Sequence, residues 1–432
     1  MKKVIYILLL FIIPAATIGQ SPFLERVKSR TKNKVEQRAI NKIDKEVDKT
    51  LDAIENPSAT NNTAERGTEK DKDQVSKNNN EKTELQAYSK YDFVPGERII
   101  YAEDFVQDEI GELPLNWNTG GKAELVTLDA FPGKWLRLYQ NAVYLTSNTD
   151  SFSQNFTVEF DIILQLKNLG YTYPYVSFGF LASDSKPTND NSFLDYQTTF
   201  QSAQVYIRPA SGGSSGIYAE TYANKARHFL TETQNLAAIE NYYNNISHVA
   251  MQVQGSRFRV WANGEKKYDL PMAMPTAYIF NQLFFKIHSS SYKDDQLGFY
   301  IANIKVATGK ADTRKKLLEE GKFSTTGILF ENNSAVIRPE SYGVTREIAS
   351  ALKEQETIRI KVIGHTSSDG DEQVNLQLSK KRAAAVKEML ITEFGTDASR
   401  IETDGQGETQ PVGDNKTSEG KTQNRRVEFI KI

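Results

Sequence analysis

The sequence contains no cysteine and only 4 histidines in 432 residues. The lack of cysteine excludes disulfide bonds, thiolate metal sites and a lipid-modified N-terminal cysteine. Lys and Arg total 53 and Asp and Glu total 55, so no basic excess favours nucleic acid as a partner. Beyond the first residues, no stretch approaches the ~20 apolar residues that a membrane-spanning helix needs. These absences exclude a disulfide scaffold, a basic nucleic-acid-binding protein and a helical membrane protein.

The chain begins with two lysines, an apolar run from Val4 to Ile13, and then small residues. This order is typical of a secretory signal peptide that is cleaved between Ala16 and Gln20. The alternative is an uncleaved membrane anchor, but the apolar run is too short to span a bilayer comfortably. We therefore predict a signal peptide at residues 1–20 and export of the mature protein.

Two segments without a globular pattern follow. In residues 21–57 aliphatic side chains recur at spacings of three to five and predict one apolar helix face: Val35, Ile40, Ile43, Val47, Leu51 and Ile54. This amphipathic helix either docks on a partner or forms a short coiled coil, or it is simply a solvated helix. Residues 58–90 are strongly polar and predict a disordered linker, because they cannot bury enough surface to offset the entropy of ordering.

From residue 91 onward, strand-like runs recur between turn signals, and the chain has 20 Tyr and 22 Phe. Aromatic side chains favour strands. Val158, Phe160 and Ile162 alternate with Glu159 and Asp161, which predicts a half-buried strand. Many antiparallel strands without long helices between them predict an all-β, two-sheet jelly-roll sandwich over residues 91–310.

Two hairpins are expected inside this module. Asn263-Gly264 is the strongest short-range hairpin signal, and Gly255-Ser256 predicts a second turn just before it. The run GSRFRVWANGEKKYDLP with the later LGFYIANIKVA resembles the closing strands of laminin-G and concanavalin-like jelly rolls. YDFVPGERIIYAEDF with GELPLNW is similar to the opening of such modules in exported Bacteroidetes-type proteins.

The aromatic residues of the sandwich leave its ligand open. The stretch Tyr171 to Tyr175 and the 3 Trp could stack on sugar rings. Alternatively, these side chains fill the core of the sandwich. A glycoside hydrolase or lyase would need paired carboxylates, and their separation cannot be read from the sequence.

A charged joint at residues 311–325 leads to a C-terminal domain at residues 326–432. The pattern predicts strands at Ile328–Phe330 and around Ile358–Val362, helices at Pro339–Leu352 and Asn375–Phe394, and two closing strands. The predicted order is βαβαββ, an α+β fold in which helices pack on a mixed sheet.

The stretch GHTSSDGDEQVNLQLSKKRA, from Gly364 to Ala383, is the most distinctive part of this domain. It lacks the spacing of a phosphate loop and of an EF-hand calcium loop. No Ser or Cys nucleophile pattern accompanies His365, so a histidine bonded into the loop framework is the favoured interpretation. Arg382 lies on the predicted helix and can bind a carboxylate through two hydrogen bonds.

This stretch, the later GQGETQPVGDNKTSEG and the terminal NRRVEF strongly resemble the OmpA-like C-terminal domain, which also occurs in Pal lipoproteins and in the flagellar MotB stator. The resemblance implies non-covalent binding of peptidoglycan through the diaminopimelate of its stem peptide. It implies that Arg382 takes the ligand carboxylate, and it places seven further residues at the site: Glu331, Thr366, Ser367, Asp369, Asn375, Leu378 and Arg425. No metal, cofactor or catalytic residue is implied.

One position departs from that family pattern. The residue after GHT is commonly an aspartate that pairs with the ammonium group of the ligand, and here it is Ser367. Asp369, Asp371 or Glu331 could supply the missing charge. Our hypothesis is that Arg382 carries the binding and that Asp369 partly compensates for Ser367.

The sequence as a whole therefore predicts a non-enzymatic, exported envelope protein in the periplasm, anchored to the wall near the outer membrane. The alternatives are a glycan-binding adhesin or adaptor that works through the sandwich, and a wall-anchored hydrolase or lyase. Its predicted partners are peptidoglycan, a glycan or protein ligand of the sandwich, and a partner of the N-terminal helix.

Overall fold

A computed structural model describes residues 91–195, 197–309 and 312–432. The predicted signal peptide (1–20), amphipathic helix (21–57) and linker (58–90) lie outside these residues. The described residues all belong to one compact unit. Within them, no helix combines the length and the apolar composition required to cross a membrane.

The first part of the described chain consists of two eight-stranded sheets. In chain order the strands are β1 (Arg98–Glu103), β2 (Asn118–Thr119), β3 (Ala123–Leu128), β4 (Phe131–Leu138), β5 (Ala142–Leu145), β6 (Asn155–Gln165), β7 (Val176–Leu181), β8 (Ser202–Arg208), β9 (Gly216–Ala223), β10 (Ala226–Leu230), β11 (Gln234–Asn235), β12 (Ile246–Gln254), β13 (Arg257–Ala262), β14 (Glu265–Leu270), β15 (Gln282–Ile287) and β16 (Gly298–Thr308). The first sheet has the order β14-β13-β12-β6-β16-β4-β3, and β1 also pairs with β16. The second has the order β10-β9-β8-β7-β15-β5-β2, and β11 also pairs with β9.

The two sheets pack face to face through aromatic side chains. The ring of Phe160 on β6 lies 4.9 Å from that of Phe178 on β7 and 5.1 Å from that of Phe285 on β15. Both contacts are edge-to-face, the arrangement that the ring quadrupoles favour. The sheets thus form the sandwich that the strand pattern predicted, whereas its jelly-roll connectivity stays a prediction.

Both predicted hairpin turns are present. Asn263 and Gly264 have φ angles of 48° and 79° and join β13 to β14. Two consecutive positive φ angles are typical of a type I′ turn, whose twist matches that of the flanking strands. Gly255, with a φ of 57°, lies in the turn between β12 and β13.

Strand β6 differs from the half-buried strand that its sequence predicts. Val158, Phe160 and Ile162 belong to the core, but Glu159 and Asp161 on the opposite face are buried as well. The alternating pattern predicted solvent on that second face, as is common for antiparallel sheets. Here Arg338 of the C-terminal domain and the segment Tyr91–Gly96 pack on it.

The C-terminal domain is a four-stranded mixed sheet with helices. Its elements are α1 (Thr313–Leu318), β17 (Lys322–Thr325), α2 (Tyr342–Glu354), β18 (Ile360–His365), α3 (Glu372–Thr392), β19 (Ile401–Gly407), α4 (Ser418–Asn424) and β20 (Val427–Lys431). The sheet order is β17-β20-β18-β19, with β18 and β19 parallel. A separate apolar core joins the helices to this sheet.

The start of this domain differs from its prediction. The first strand is β17, not Ile328–Phe330, where Phe330 forms a single bridge to Ile337. The predicted joint 311–325 therefore supplies α1 and β17, because its apolar residues Leu317 and Phe323 are buried in the domain core. Charged residues surround these two apolar residues, so the sequence pattern did not indicate a helix and a strand there.

The end of the domain also differs in one element. The short helix α4 lies between β19 and β20, which were predicted as consecutive strands. Thr417 caps this helix by accepting a hydrogen bond from the backbone N–H of Gly420. The many polar residues of α4 carry little apolar periodicity, which is why the sequence pattern does not indicate a helix there.

The segment Tyr91–Gly96 lies between the sandwich and the C-terminal domain. On one side, Phe93 packs against Trp261 of the first sheet, with ring centroids 5.2 Å apart. On the other side, α2 comes so close that a Cβ at Gly343 would overlap the carbonyl oxygen of Phe93. We call this segment the strap, because both modules contact it.

A buried ionic cluster adds to the contact between the two modules. We call it the seam cluster, and its members are Glu159, Asp161, His248, Lys305 and Arg338. Asp161 lies 2.8 Å from His248 Nδ1 and 3.2 Å from a guanidinium nitrogen of Arg338, which belongs to the C-terminal domain. Glu159 lies 2.7 Å from Lys305 Nζ and 3.6 Å from His248 Nε2. His248 therefore pairs with two buried carboxylates.

Candidate functional site

The polar loop 366–371 connects β18 to α3 and holds several of the predicted site residues. A Cβ at Gly364 would overlap the backbone of Ser379, so the glycine allows β18 and α3 to pack closely. Asp371 caps α3 by accepting a hydrogen bond from the N–H of Val374 at 3.0 Å. This packing holds the loop against the N-terminal end of α3, with Arg382 further along the same helix.

The guanidinium of Arg382 contacts a backbone carbonyl and an aromatic ring of its own domain. Its Nε donates to the carbonyl oxygen of Ser334 at 2.9 Å, and its Cζ lies 4.8 Å from the ring centroid of Phe330. Burial and the nearby positive charge of Arg425 lower the pKa of Arg382 to about 10. In the chain from residue 91 onward, as far as the structure describes it, no carboxylate forms an ion pair with this guanidinium.

Asp369 is the acid in direct contact with Ser367. The Ser367 hydroxyl donates to Asp369 Oδ2 at 2.9 Å, and Lys421 Nζ donates to Oδ1 at 2.7 Å. A guanidinium nitrogen of Arg425 lies 3.8 Å from the same carboxylate. Burial opposes ionisation of Asp369, but the hydrogen bonds from Lys421 and Ser367 outweigh it and hold its pKa below the usual range.

Asn375 ties the loop to the neighbouring chain segments. Its side-chain amide donates to the carbonyl oxygens of Ser367 and Asp369, at 3.4 and 3.0 Å, and to Glu408 Oε2 at 2.6 Å. Thr366 is buried, and its Oγ1 has no hydrogen-bond partner among the described residues. An unpaired buried hydroxyl is costly unless a ligand or water meets it.

The structure thus brings together most of the predicted site residues: Thr366, Ser367, Asp369, Asn375, Arg382 and Arg425. Of the two remaining residues, Glu331 is exposed and Leu378 is half-buried. Of the acids proposed to compensate for Ser367, Asp371 serves as a helix cap, and Asp369 is the one bonded to Ser367.

Sequence reasoning missed four residues that shape this site: Phe330, Ser334, Glu408 and Lys421. Glu408 follows the quoted GQG motif, but its hydrogen bond to Asn375 depends on how β19 ends beside α3. Lys421 reaches Asp369 from the helix that the pattern did not predict. Their contacts join segments far apart in the chain, which a local pattern cannot reveal.

His365 is not bonded into the loop framework in the way that the sequence suggested. The side chain is buried, and neither ring nitrogen has a hydrogen-bond partner in the described chain. Burial and the charge of Arg426 lower its pKa to about 4. A neutral, enclosed imidazole is consistent with a structural role.

The aromatic residues proposed as sugar platforms in the sandwich are mostly interior. Trp117, Trp135 and Trp261 are all buried. Tyr173 is buried and stacks on Tyr292 at 5.4 Å, whereas Tyr171 is 54% exposed. The core interpretation therefore holds for the tryptophans and for Tyr173. Tyr175 is half-buried, and Tyr171 is the most exposed of these six aromatic residues.

Comparison with known proteins gives matches to the C-terminal domain. The OmpA family profile matches residues 329–425. Probable lipoprotein YiaD of Escherichia coli (strain K12) is 44% identical over 102 residues, which are 24% of this chain and 46% of that protein. Peptidoglycan-binding protein ArfA of Mycobacterium bovis is 35% identical over 103 residues, 24% of this chain and 31% of that protein.

Among solved structures, the Emp47p carbohydrate recognition domain is similar over 49% of this chain and 98% of that domain, with 12% identity and a TM-score of 0.33. The chain spans less than half the length of the two curated relatives named above. The sequence match and the family profile both concern the domain that carries Arg382. Residues 329–425 of this chain belong to the OmpA family.

Proposed function

We propose that the C-terminal domain binds peptidoglycan non-covalently through the diaminopimelate of the stem peptide, and that it holds an exported, non-enzymatic protein at the cell wall. Membership of the OmpA family supports this proposal, as does the printed name of the relative ArfA. Within a stem peptide, the side-chain end of diaminopimelate carries a free ammonium and a free carboxylate, so a site for it needs a cationic side and an anionic side.

The single observation that carries the proposal is the state of Arg382. Its guanidinium is largely enclosed and lies near a second guanidinium, that of Arg425, and no carboxylate of the described residues pairs with it. Two neighbouring cations repel each other, and a carboxylate between them removes that repulsion. A ligand carboxylate can also accept hydrogen bonds from the terminal nitrogens of Arg382, because the chain occupies its Nε.

The anionic side of the proposed site is Asp369. Its carboxylate is half exposed, at 50%, and lies within hydrogen-bond distance of the Ser367 hydroxyl. We propose that this carboxylate meets the ligand ammonium in place of the aspartate common at position 367. Lys421 already pairs with it, so the ammonium shares or replaces an existing partner.

A sacculus-binding assay on the full chain tests the proposal. We expect wild-type protein to co-sediment with sacculi that contain diaminopimelate and to be released by free meso-diaminopimelate. We expect Arg382→Ala to weaken binding by about tenfold or more, because a charge-assisted hydrogen bond is worth ~1.5–3 kcal/mol.

Arg359→Ala is the matched control. Arg359 lies in the same domain and forms an exposed ion pair with Glu402 at 2.6 Å. Its removal should leave binding unchanged. Retention of full binding by Arg382→Ala, with the melting temperature also unchanged, would contradict the proposal.

We also propose the periplasm, near the outer membrane, as the location of the protein. The printed names of the relatives support envelope association: one is a probable lipoprotein, and another is outer membrane porin F of Pseudomonas aeruginosa. The ligand of the sandwich and a partner of the N-terminal helix stay proposals without a specific contact.

A further inference from the structure

A loop of the sandwich touches the C-terminal domain beside Arg425. Asp104, just after β1, has one carboxylate oxygen 3.6 Å from a guanidinium nitrogen of Arg425. Its other oxygen accepts hydrogen bonds from the Ser418 hydroxyl and from the backbone N–H of Val106, both at 3.3 Å. Asp104 therefore connects the sandwich loop to the residues at both ends of α4.

Backbone contacts on either side of Asp104 hold this loop in place. The N–H of Ala102 donates to Glu419 at 3.2 Å, and the Gln107 side chain donates to the carbonyl oxygen of Lys416 at 2.7 Å. The seam cluster and the strap fix the same two modules elsewhere along the first sheet. The position of Asp104 relative to Arg425 is thus set by several independent contacts.

Arg425 needs such a partner because of its surroundings. It is near Arg382, which repels it, and Asp369 lies 3.8 Å away. Without Asp104, the remaining attraction would draw Arg425 towards Asp369. That movement would remove Arg425 from the part of the site that binds the ligand carboxylate. It would also neutralise Asp369, which is proposed to bind the ligand ammonium.

We propose that the sandwich supplies a positioning residue, Asp104, to the peptidoglycan site by holding Arg425 in place beside Arg382. This inference rests on the proposed function and deepens it. The wall-binding unit is then the sandwich together with the OmpA-family domain, and the sandwich influences how tightly the wall is bound.

The experiment measures binding of the full chain to a soluble muropeptide whose stem peptide ends in meso-diaminopimelate. Asp104→Asn keeps an oxygen for the N–H of Val106 and removes the charge. We expect the affinity to be about threefold to fivefold weaker, because removing a partly exposed ion pair weakens binding by less than about tenfold. Asp104→Glu should restore most of the loss.

Asp108→Asn is the matched control in the same loop. Asp108 accepts a hydrogen bond from the N–H of Leu115 at 3.0 Å and forms no ion pair with Arg425. We expect this variant to bind like wild type.

A double-mutant cycle with Arg425→Gln separates positioning from general loosening of the fold. If Asp104 acts through Arg425, Asp104→Asn has no further effect on affinity in the Arg425→Gln background. Equal losses in both backgrounds, or an Asp104→Asn affinity equal to wild type, would overturn the inference.

The outcomes for the two proposals are distinguishable. If wild-type protein binds and Arg382→Ala does not, the proposed function stands whatever Asp104 does. If wild-type protein fails to bind the muropeptide and sacculi, the proposed function fails and this inference fails with it.

Discussion

At the scale of single residues, Ser367 lacks the charge of an aspartate, and Asp369, its proposed substitute, is already paired with Lys421. The Ser367 hydroxyl donates to Asp369, whose carboxylate also receives Lys421 at 2.7 Å. In the proposed site, a ligand ammonium would share this carboxylate with Lys421, which already pairs with it. The gain from Asp369 is therefore smaller than the gain from an unpaired aspartate, and binding should be looser than in a domain with aspartate after GHT.

Replacing Asp369 by asparagine tests this arrangement. We expect Asp369→Asn to weaken muropeptide binding by about threefold to tenfold, because a charge-assisted hydrogen bond of ~1.5–3 kcal/mol becomes a neutral one of ~1 kcal/mol. Isothermal titration calorimetry on the full chain measures the change. Asp371→Asn is the matched comparison, because asparagine caps a helix as well as aspartate does. Equal losses in the two variants would refute a specific role for Asp369.

At the scale of secondary-structure elements, helix α2 is shaped by what it packs against. Gly343 lies at its second position, where a side chain would meet the strap rather than solvent. In an isolated helix the same position would favour alanine, which is ~1 kcal/mol better than glycine. The close contact with the strap therefore requires a glycine here, whereas the helix itself does not.

Gly343→Ala should destabilise the protein despite the better helix propensity of alanine. A Cβ there overlaps the carbonyl oxygen of Phe93, and forcing atoms into a packed interior costs ~1–3 kcal/mol. Urea unfolding gives the free energy of unfolding. Ser350→Ala, on an exposed turn of the same helix, should change stability by less than about 0.5 kcal/mol. A more stable Gly343→Ala variant would mean that α2 does not hold the strap in solution.

The elements differ in how far the sequence predicts them. The Asn263-Gly264 hairpin is predictable because its backbone angles depend on those two residues alone. The helix that carries Arg382 is predictable because a long sequence motif identifies it. Burial of Asp161 and the contact of Asp104 with Arg425 are not, since both arise where two modules meet. The local periodicity of the sequence carries no information about contacts between the two modules.

At the scale of the whole molecule, the seam cluster couples the stability of the sandwich to that of the OmpA-family domain. Asp161 and Glu159 are buried with His248, Lys305 and Arg338 as their cationic partners. Removing one partner of a buried ion pair typically costs ~3–5 kcal/mol, because it leaves the other charge buried and unpaired. Separation of the two modules would expose this cluster, so their docking and its protonation are linked.

The charge of His248 makes this docking depend on pH. Burial alone would lower the pKa of His248, but the hydrogen bond to Asp161 and the negative charge of nearby Glu159 raise it to about 9. The folded state therefore holds this proton more tightly than the unfolded chain, whose histidine pKa is about 6.5. The stabilisation is fully present below about pH 6.5 and is lost as pH rises through about 9.

A pH series of chemical unfolding on wild type and His248→Gln checks this sign. We expect the variant to be the less stable protein at pH 6, and we expect the difference between the two to shrink steadily towards pH 9.5, because wild-type His248 then loses its proton. His228→Gln, at an exposed position on β10, serves as the control and should follow wild type at every pH. A stability difference that stays constant from pH 6 to 9.5 would show that His248 does not carry a charge in the seam cluster.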